Sequence, residues 1–243
     1  KWSFTIVCCN GNYNFVYNMV KNINRDIKII KYDLDNLTCN IYNRLLSTKK
    51  FWNNLNGEKI LIYQEDSCIF KSNIEEYMKY DYIGAPWPKN QDDNKNCVGN
   101  GGLSLRTKET MLKVIKKICI LDTKYKKKTK KYIIKSNLII PPEDVYFSKS
   151  IIDYNLGIVA DYDTALKFSV ETQYHPNPFG GHNMWISNKN WKKLLYMKCL
   201  KIYESQYNYK SEHRGGWNTI KCFMLKNDLV KDAKYIPFKK FAV

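Results

Sequence analysis

Apolar and polar positions fall into short blocks that read in turn as strands and helices. Residues 3–8 (Ser-Phe-Thr-Ile-Val-Cys) are a compact apolar run followed by Asn10, Gly11 and Asn12, which predicts a buried strand closed by a turn. A helix is expected over residues 13–22 and a second strand over 27–32. Residues 37–55 carry Ile41, Leu45 and Leu46, then Phe51 and Trp52, at helical spacing, with Asn56-Gly57 as the stop. Residues 59–63 are continuous and apolar, as expected for the buried centre of a parallel sheet. Strands alternating with helices predict a doubly wound α/β sheet.

The rhythm then changes. Residues 82–88 (Tyr-Ile-Gly-Ala-Pro-Trp-Pro) hold too much Pro and Gly for a helix, and 90–96 read as a polar loop. Residues 98–106 predict a glycine turn and a short strand, and 108–120 an amphipathic helix. The basic run 124–131 reads as a solvated loop. Residues 141–152 predict a turn leading into a helix, with Glu143 and Asp144 in its first turn. A strand is expected over 165–170, a loop over 177–185 and a helix over 191–205; past residue 216 the pattern offers no more than a helix and a closing strand. With no internal repeat and no linker, residues 1–243 are expected to form a single domain. The chain starts at Lys1 rather than Met, so it is expected to be part of a longer protein. No apolar run reaches the eighteen or so residues that a membrane span needs.

Composition narrows the function classes. At 44% hydrophobic over 243 residues there is enough apolar material for one sizeable core. The net charge of +17 invites a nucleic-acid reading. Yet Arg25, Arg44, Arg106 and Arg214 are the only arginines, and base and phosphate readers favour the bidentate arginine fork. Lysine is abundant together with Asn, Ile and Tyr, as AT-rich coding produces, so the charge is read as a solvated surface and no nucleic-acid partner is expected. A basic surface would still steer anionic ligands. The cysteines (Cys8, Cys9, Cys39, Cys68, Cys97, Cys119, Cys199 and Cys222) are scattered, without a C-x-x-C pair or zinc spacing. They read as buried free thiols in a reducing compartment, which points to the cytoplasm.

Four constellations carry candidate chemistry, and each has an ordinary alternative. Gln64-Glu65-Asp66-Ser67 ends the third strand in acids, at the strand end where α/β sheets bind ligands, and carboxylates there suit Mg²⁺ or Mn²⁺. The alternative is a solvated turn. Gly99-Asn100-Gly101-Gly102 lets backbone approach a ligand closely, or makes a tight hairpin; it is neither a P-loop nor a dinucleotide fingerprint. Glu143-Asp144 offers a general base, or plain helix capping. His182, in the glycine and aromatic run 178–185, is a metal ligand, a proton carrier or a structural histidine.

In order, these blocks resemble a glycosyltransferase-like family long labelled only as a domain of unknown function, with members in giant DNA viruses, bacteria and fungi. The matching motifs are Tyr42-Asn43-Arg44-Leu45-Leu46 with Phe51-Trp52, Gln64-Glu65-Asp66-Ser67, Asp81-Tyr82-Ile83-Gly84-Ala85-Pro86-Trp87, Gly99-Asn100-Gly101-Gly102-Leu103-Ser104-Leu105-Arg106, Pro142-Glu143-Asp144-Val145, Phe168-Ser169-Val170-Glu171 and Gly181-His182. They run from about residue 4 to about residue 195. That family is similar in turn to GT-A-type glycosyltransferases. The resemblance implies a Rossmann-like mixed sheet flanked by helices and transfer of a sugar from a nucleotide-sugar, UDP-sugar by default, to an acceptor hydroxyl on a glycan or glycoprotein. It implies Mn²⁺ or Mg²⁺ held by Asp66 and His182. Asp66 takes the last position of a D-x-D motif; Gln64 stands where its first Asp would be, so either Glu65 helps or water completes the shell. Asp144, or second to it Glu143, is implied as the base of an inverting displacement, with a retaining outcome left open. Asn10, Gly11, Tyr42 and Asn43 are implied at the nucleotide, and Trp87, Asn100, Gly101 and Gly102 at the sugar and acceptor. A viral origin, with location in host cytoplasm or virion and a role in glycans of viral proteins or fibrils, rests on the same resemblance and the coding bias.

Two other readings stay open. A sugar-phosphate nucleotidyltransferase shares the sheet and the metal, but residues 8–12 (Cys-Cys-Asn-Gly-Asn) lack its basic, Gly-rich loop. A catalytically degenerate carbohydrate-binding protein is favoured by Gln64 and opposed by the retention of Asp66, Glu143, Asp144 and His182.

Overall fold

The structure, a computed structural model, describes residues 2–23, 25–88, 98–122 and 138–184. The polar loop 90–96, the basic run 124–131, the helix expected over 191–205 and the tail lie outside these residues. The architecture is mixed α/β, with small sheets flanked by helices. The chain divides into two compact units, one of residues 1–60, 80–82 and 106–159, the other of 61–79, 83–105 and 160–243.

The first unit opens with a βαβ element. Strand β1 (Phe4–Cys9) pairs in parallel with β2 (Ile27–Tyr32), from Phe4↔Ile27 to Cys9↔Tyr32, across helix α1 (Asn10–Val20). The helix starts earlier than the turn residues led one to expect. The Asn10 and Gly11 amides donate to the Leu34 and Asp35 carbonyls at 2.8 and 3.1 Å, so Asn10-Gly11-Asn12 is the first helical turn. Gly11 is needed there because a Cβ would come within 2.7 Å of the Asp35 carbonyl. The helical stretch expected over 37–55 is two helices, α2 (Cys39–Leu46) and α3 (Lys49–Asn53). Thr38 and Thr48 each accept a backbone amide as N-caps, both at 3.3 Å, so Thr48 opens a second helix within the apolar stretch.

Next come β3 (Lys59–Tyr63), β4 (Ser67–Ile69), β5 (Tyr82–Ile83) and β6 (Leu103–Thr107). One sheet has the order β3-β6-β5, so the continuous apolar strand β3 is an edge strand with only Ile60 buried, and the fully buried centre is β6. This corrects the expectation of a central β3. Helices α4 (Lys108–Lys117) and α5 (Glu143–Asp153) complete the first unit, the latter close to its expected bounds.

The second unit adds α6 (Tyr162–Phe168), β7 (Ser169–Val170) and β8 (Gly180–His182). The strand expected over 165–170 is thus mostly helix, because Asp161 caps residues 162 onward by accepting the Thr164 amide at 2.9 Å. The loop expected over 177–185 contains a strand. β8 pairs antiparallel with β4 (Ser67↔His182) and parallel with β7 (Val170↔Gly181). Its glycines read as loop but serve close packing: a Cβ on Gly180 would lie 2.6 Å from the Cys68 carbonyl, and one on Gly181 2.9 Å from the Val170 side chain. Beneath it, Phe168 stacks on Phe179 at 5.2 Å and Tyr77 meets Phe168 edge-on at 5.0 Å. Among the described residues the strands make three small sheets instead of one doubly wound sheet. Cys8 and Cys9 are buried free thiols as expected, whereas the free thiols of Cys39 and Cys119 are exposed. No helix of the described residues is long and apolar enough to cross a membrane.

Candidate functional site

In the second unit, the turn after β3 is pinned on two sides. The Gln64 amide donates to the Gly102 carbonyl (2.8 Å), the Ser67 hydroxyl to the same carbonyl (3.1 Å), and the Asn183 amide to the Asp66 carbonyl (3.0 Å). The Ser67↔His182 register then sets the histidine against this turn. Its Nε2 lies 3.1 Å from Asp66 Oδ1 and 3.0 Å from Gln64 Oε1. Its Nδ1 lies 3.7 Å from Glu171 Oε1 and 3.3 Å from Asn100 Nδ2.

The glycine block holds this arrangement. Asn100 is buried at a left-handed φ of 65°, with its Oδ1 accepting from the Gly102 amide at 3.0 Å and its Nδ2 donating to Glu171. Gly102 lies directly under the imidazole: a Cβ there would be 2.1 Å from Nε2 and Cδ2 of His182. Gly101 lends its carbonyl to the Ser104 hydroxyl at 3.2 Å. Half-buried Trp87 lies against Gly99, where a Cβ would meet the indole ring at 1.9 Å. Glu65, between the two inward residues, is exposed.

His182 and Asp66 are each 12% exposed, enough shielding for their charges to matter. Burial opposes a charged imidazole, but the hydrogen bond to Asp66 and the carboxylate of Glu171 outweigh it and hold His182 up to about 9.

The same residues fit a divalent cation. Nε2 faces two oxygens, and neither the Asp66 carboxylate nor the Gln64 carbonyl oxygen brings a hydrogen, so a proton or a metal ion must lie among the three. Neighbouring ligands of an octahedral ion with bonds of about 2.1 Å are about 3 Å apart, matching these separations. An oxygen, nitrogen, oxygen set suits Mg²⁺ or Mn²⁺. Among the described residues no group of three or more His, Cys, Asp or Glu is arranged as a metal site. The rest of a coordination shell would therefore come from water or ligand oxygens.

In the first unit, the Glu143 carboxylate meets Arg106 in a two-pronged ion pair at 2.5 and 3.0 Å. Both side chains are buried, and the guanidinium lies 4.9 Å from the Tyr82 ring centre, 5.7 Å from Phe147 and 5.9 Å from Trp52. Burial opposes its charge, yet Glu143 holds the guanidinium above its ordinary pKa. Asn43 accepts the Glu143 amide at 3.2 Å and so caps α5, with Tyr42 beside it in sequence on α2. Asp144, the next residue, is half-buried, and its Oδ1 accepts the Val145 amide at 2.8 Å. Exposed Asn10 donates its side-chain amide to Asp33 at 2.6 Å.

The structure thus joins Gln64, Asp66, Asn100, Gly102 and His182 in one cluster, and Asn43 with Glu143 in another. Two participants were given no role from the sequence, Glu171 and Arg106. Each sits within a motif of the resemblance; what places them is strand register and burial, which a linear pattern does not carry. The family described as "Protein of unknown function (DUF5672)" matches residues 26–182, a span that contains both clusters. No curated protein matches the chain.

Proposed function

This chain belongs to the DUF5672 family of proteins of unknown function, and from the cluster around His182 and the motif resemblance we propose a metal-dependent glycosyltransferase of the GT-A type. It would move a sugar from a nucleotide-sugar, UDP-sugar by resemblance, to a hydroxyl of a glycan or glycoprotein. The observation that carries this reading is the approach of Asp66 Oδ1 and Gln64 Oε1, just after β3, to within 3.1 Å of His182 Nε2, against a glycine block. A host-cytoplasmic or virion location and a role in viral glycans belong to the same proposal.

Asp66 and His182 would hold Mn²⁺ or Mg²⁺, with the Gln64 oxygen as a neutral third donor in place of an acid. Bound there, the ion supplies positive charge to the leaving diphosphate. Gly102 leaves room for the His182 ring, and Gly101 and the Trp87 face are proposed at the sugar, the indole as a stacking surface. Asp144 is the proposed base: it takes the acceptor hydroxyl proton as the acceptor oxygen bonds to the anomeric carbon. The bond from that carbon to the diphosphate breaks, and its electron pair leaves with the diphosphate. Glu143 is less suited to this task, since both its oxygens are engaged by Arg106. It anchors the start of α5.

The test is nucleotide release and transfer from UDP-, GDP- and dTDP-sugars with Mn²⁺, Mg²⁺ or EDTA, for wild type and Asp144→Asn. One donor is expected to turn over, with EDTA abolishing it and Asp144→Asn slowing it by about 10²–10⁴-fold. Wild-type turnover in Asp144→Asn removes the base assignment, and no turnover of any donor removes the transferase reading. In that event a binding-only carbohydrate protein is favoured, because Gln64 replaces an acid and His182 already has Asp66 as partner.

A further inference from the structure

Among the described residues Arg106 is the one lysine or arginine that is buried. The chain holds 40 lysines and arginines, of which only Arg25, Arg44, Arg106 and Arg214 are arginines. A lysine would supply the charge; arginine adds a planar fork that grips both oxygens of one carboxylate and packs against aromatic rings. Glu143 receives that fork at 2.5 and 3.0 Å, walled in by Trp52, Tyr82 and Phe147. Stability alone does not call for such a pair, since apolar side chains of similar volume are often as stable in its place. The fork adds a fixed direction.

Glu143 is the first residue of α5 and is held from two elements. Arg106 on β6 takes its carboxylate, and Asn43 on α2 takes its amide at 3.2 Å. Asp144 follows one peptide later. The first amides of a helix lack a carbonyl in the preceding turn. In α5 the Tyr146 amide reaches back to the Pro142 carbonyl at 3.0 Å, while the Val145 amide donates to Asp144 Oδ1 at 2.8 Å. Burial pushes the Tyr82 hydroxyl well above its ordinary range, and the charges of Glu143 and Asp144 add to the rise, so both carboxylates act on the same buried ring.

We propose that Arg106 is a positioning residue: through Glu143 it fixes the first turn of α5, and with it the carboxylate of Asp144. The proposal rests on the reading of Asp144 as the base, and the test separates the two.

Arg106→Met/Glu143→Met in the full chain removes both charges together, so no lone charge stays buried, and it is expected to melt close to wild type. With the nucleotide-sugar and ion that wild type turns over, donor KM is expected to change little and kcat to fall about 10²-fold, the cost of misplacing a reacting group by about 1 Å. Added to Asp144→Asn, the two substitutions are expected to cost nothing more, because their effect passes through that carboxylate. Amide hydrogen exchange reads the hold without turnover. The Val145 amide is protected in wild type and exchanges about fivefold faster in the Met/Met variant, the worth of one ordinary hydrogen bond. A wild-type kcat in the Met/Met variant overturns the proposal. So does a fall in kcat that is undiminished in the Asp144→Asn background, which general loosening would give. An unprotected Val145 amide in wild type overturns it too, whether or not the Met/Met variant folds. If wild type turns over no donor, the base reading falls; faster Val145 exchange in the Met/Met variant then keeps the hold of Arg106 on the turn, and equal exchange overturns it.

Discussion

At His182 the balance between burial and two carboxylates has a measurable consequence for the metal-free protein. The folded-state value of about 9 lies above the ordinary 6.5, so folding favours the protonated ring. The stabilisation is fully present below pH 6.5 and is lost as pH rises through 9. Its size is on the order of 3 kcal/mol. Urea midpoints measured in EDTA should therefore fall between these pH values in wild type and stay flatter in His182→Gln; parallel curves would deny the linkage. Gly102→Ala tests the packing beneath the ring, where a methyl 2.1 Å from Nε2 requires the ring or the turn to move. Loss of Mn²⁺ binding in a protein that still folds is expected, and retained binding would contradict the close fit. Asp66 and His182 were singled out in the sequence, each with an ordinary alternative beside it, and only the resemblance gave them a shared role; the structure brings the two side chains together. Glu171 was not singled out, since its role depends on β7 and β8 lying in register, and both were misread locally, one as part of a longer strand and one as loop.

Among the elements, α5 shows how two adjacent acids come to have different surroundings. Glu143 and Asp144 are adjacent and alike in sequence, yet one is 2% exposed and engaged by Arg106 while the other is half-buried. Glu143→Ala leaves a guanidinium buried among Trp52, Tyr82 and Phe147 without its anion, which should destabilise the fold by about 3–5 kcal/mol. Replacing both partners with Met should recover much of that loss, since apolar side chains then fill the space. Denaturant unfolding of wild type and the two variants reads this, and a Glu143→Ala protein as stable as wild type would show that the pair contributes nothing. The elements that followed simple periodicity, β1, β2 and α5, were read close to their true bounds. Those that depart did so for local reasons: Thr48 splits one apolar stretch into α2 and α3, Asp161 caps a helix where β-type residues suggested a strand, and Gly180 and Gly181 make a strand because nothing larger fits. The position of β3 at a sheet edge was hidden because an apolar run states how much of a strand wants burial, not which neighbour covers it.

For the molecule as a whole, the +17 net charge is carried mainly by lysine, which suits an anionic small-molecule donor as well as it suits a solvated surface. Family membership assigns no activity, so the account stands on the cluster of Gln64, Asp66 and His182 and on the resemblance. The measurement that bears on it most directly is thermal unfolding of wild type and Asp66→Asn with UDP-, GDP- and dTDP-sugars, each with Mn²⁺, Mg²⁺ or EDTA. One nucleotide-sugar with a divalent ion should stabilise wild type by about 2.7 kcal/mol at a hundredfold excess over its Kd. EDTA and Asp66→Asn should each remove that gain. No gain with any donor and ion, or a gain that persists in EDTA and in Asp66→Asn, would contradict a metal-dependent nucleotide-sugar site.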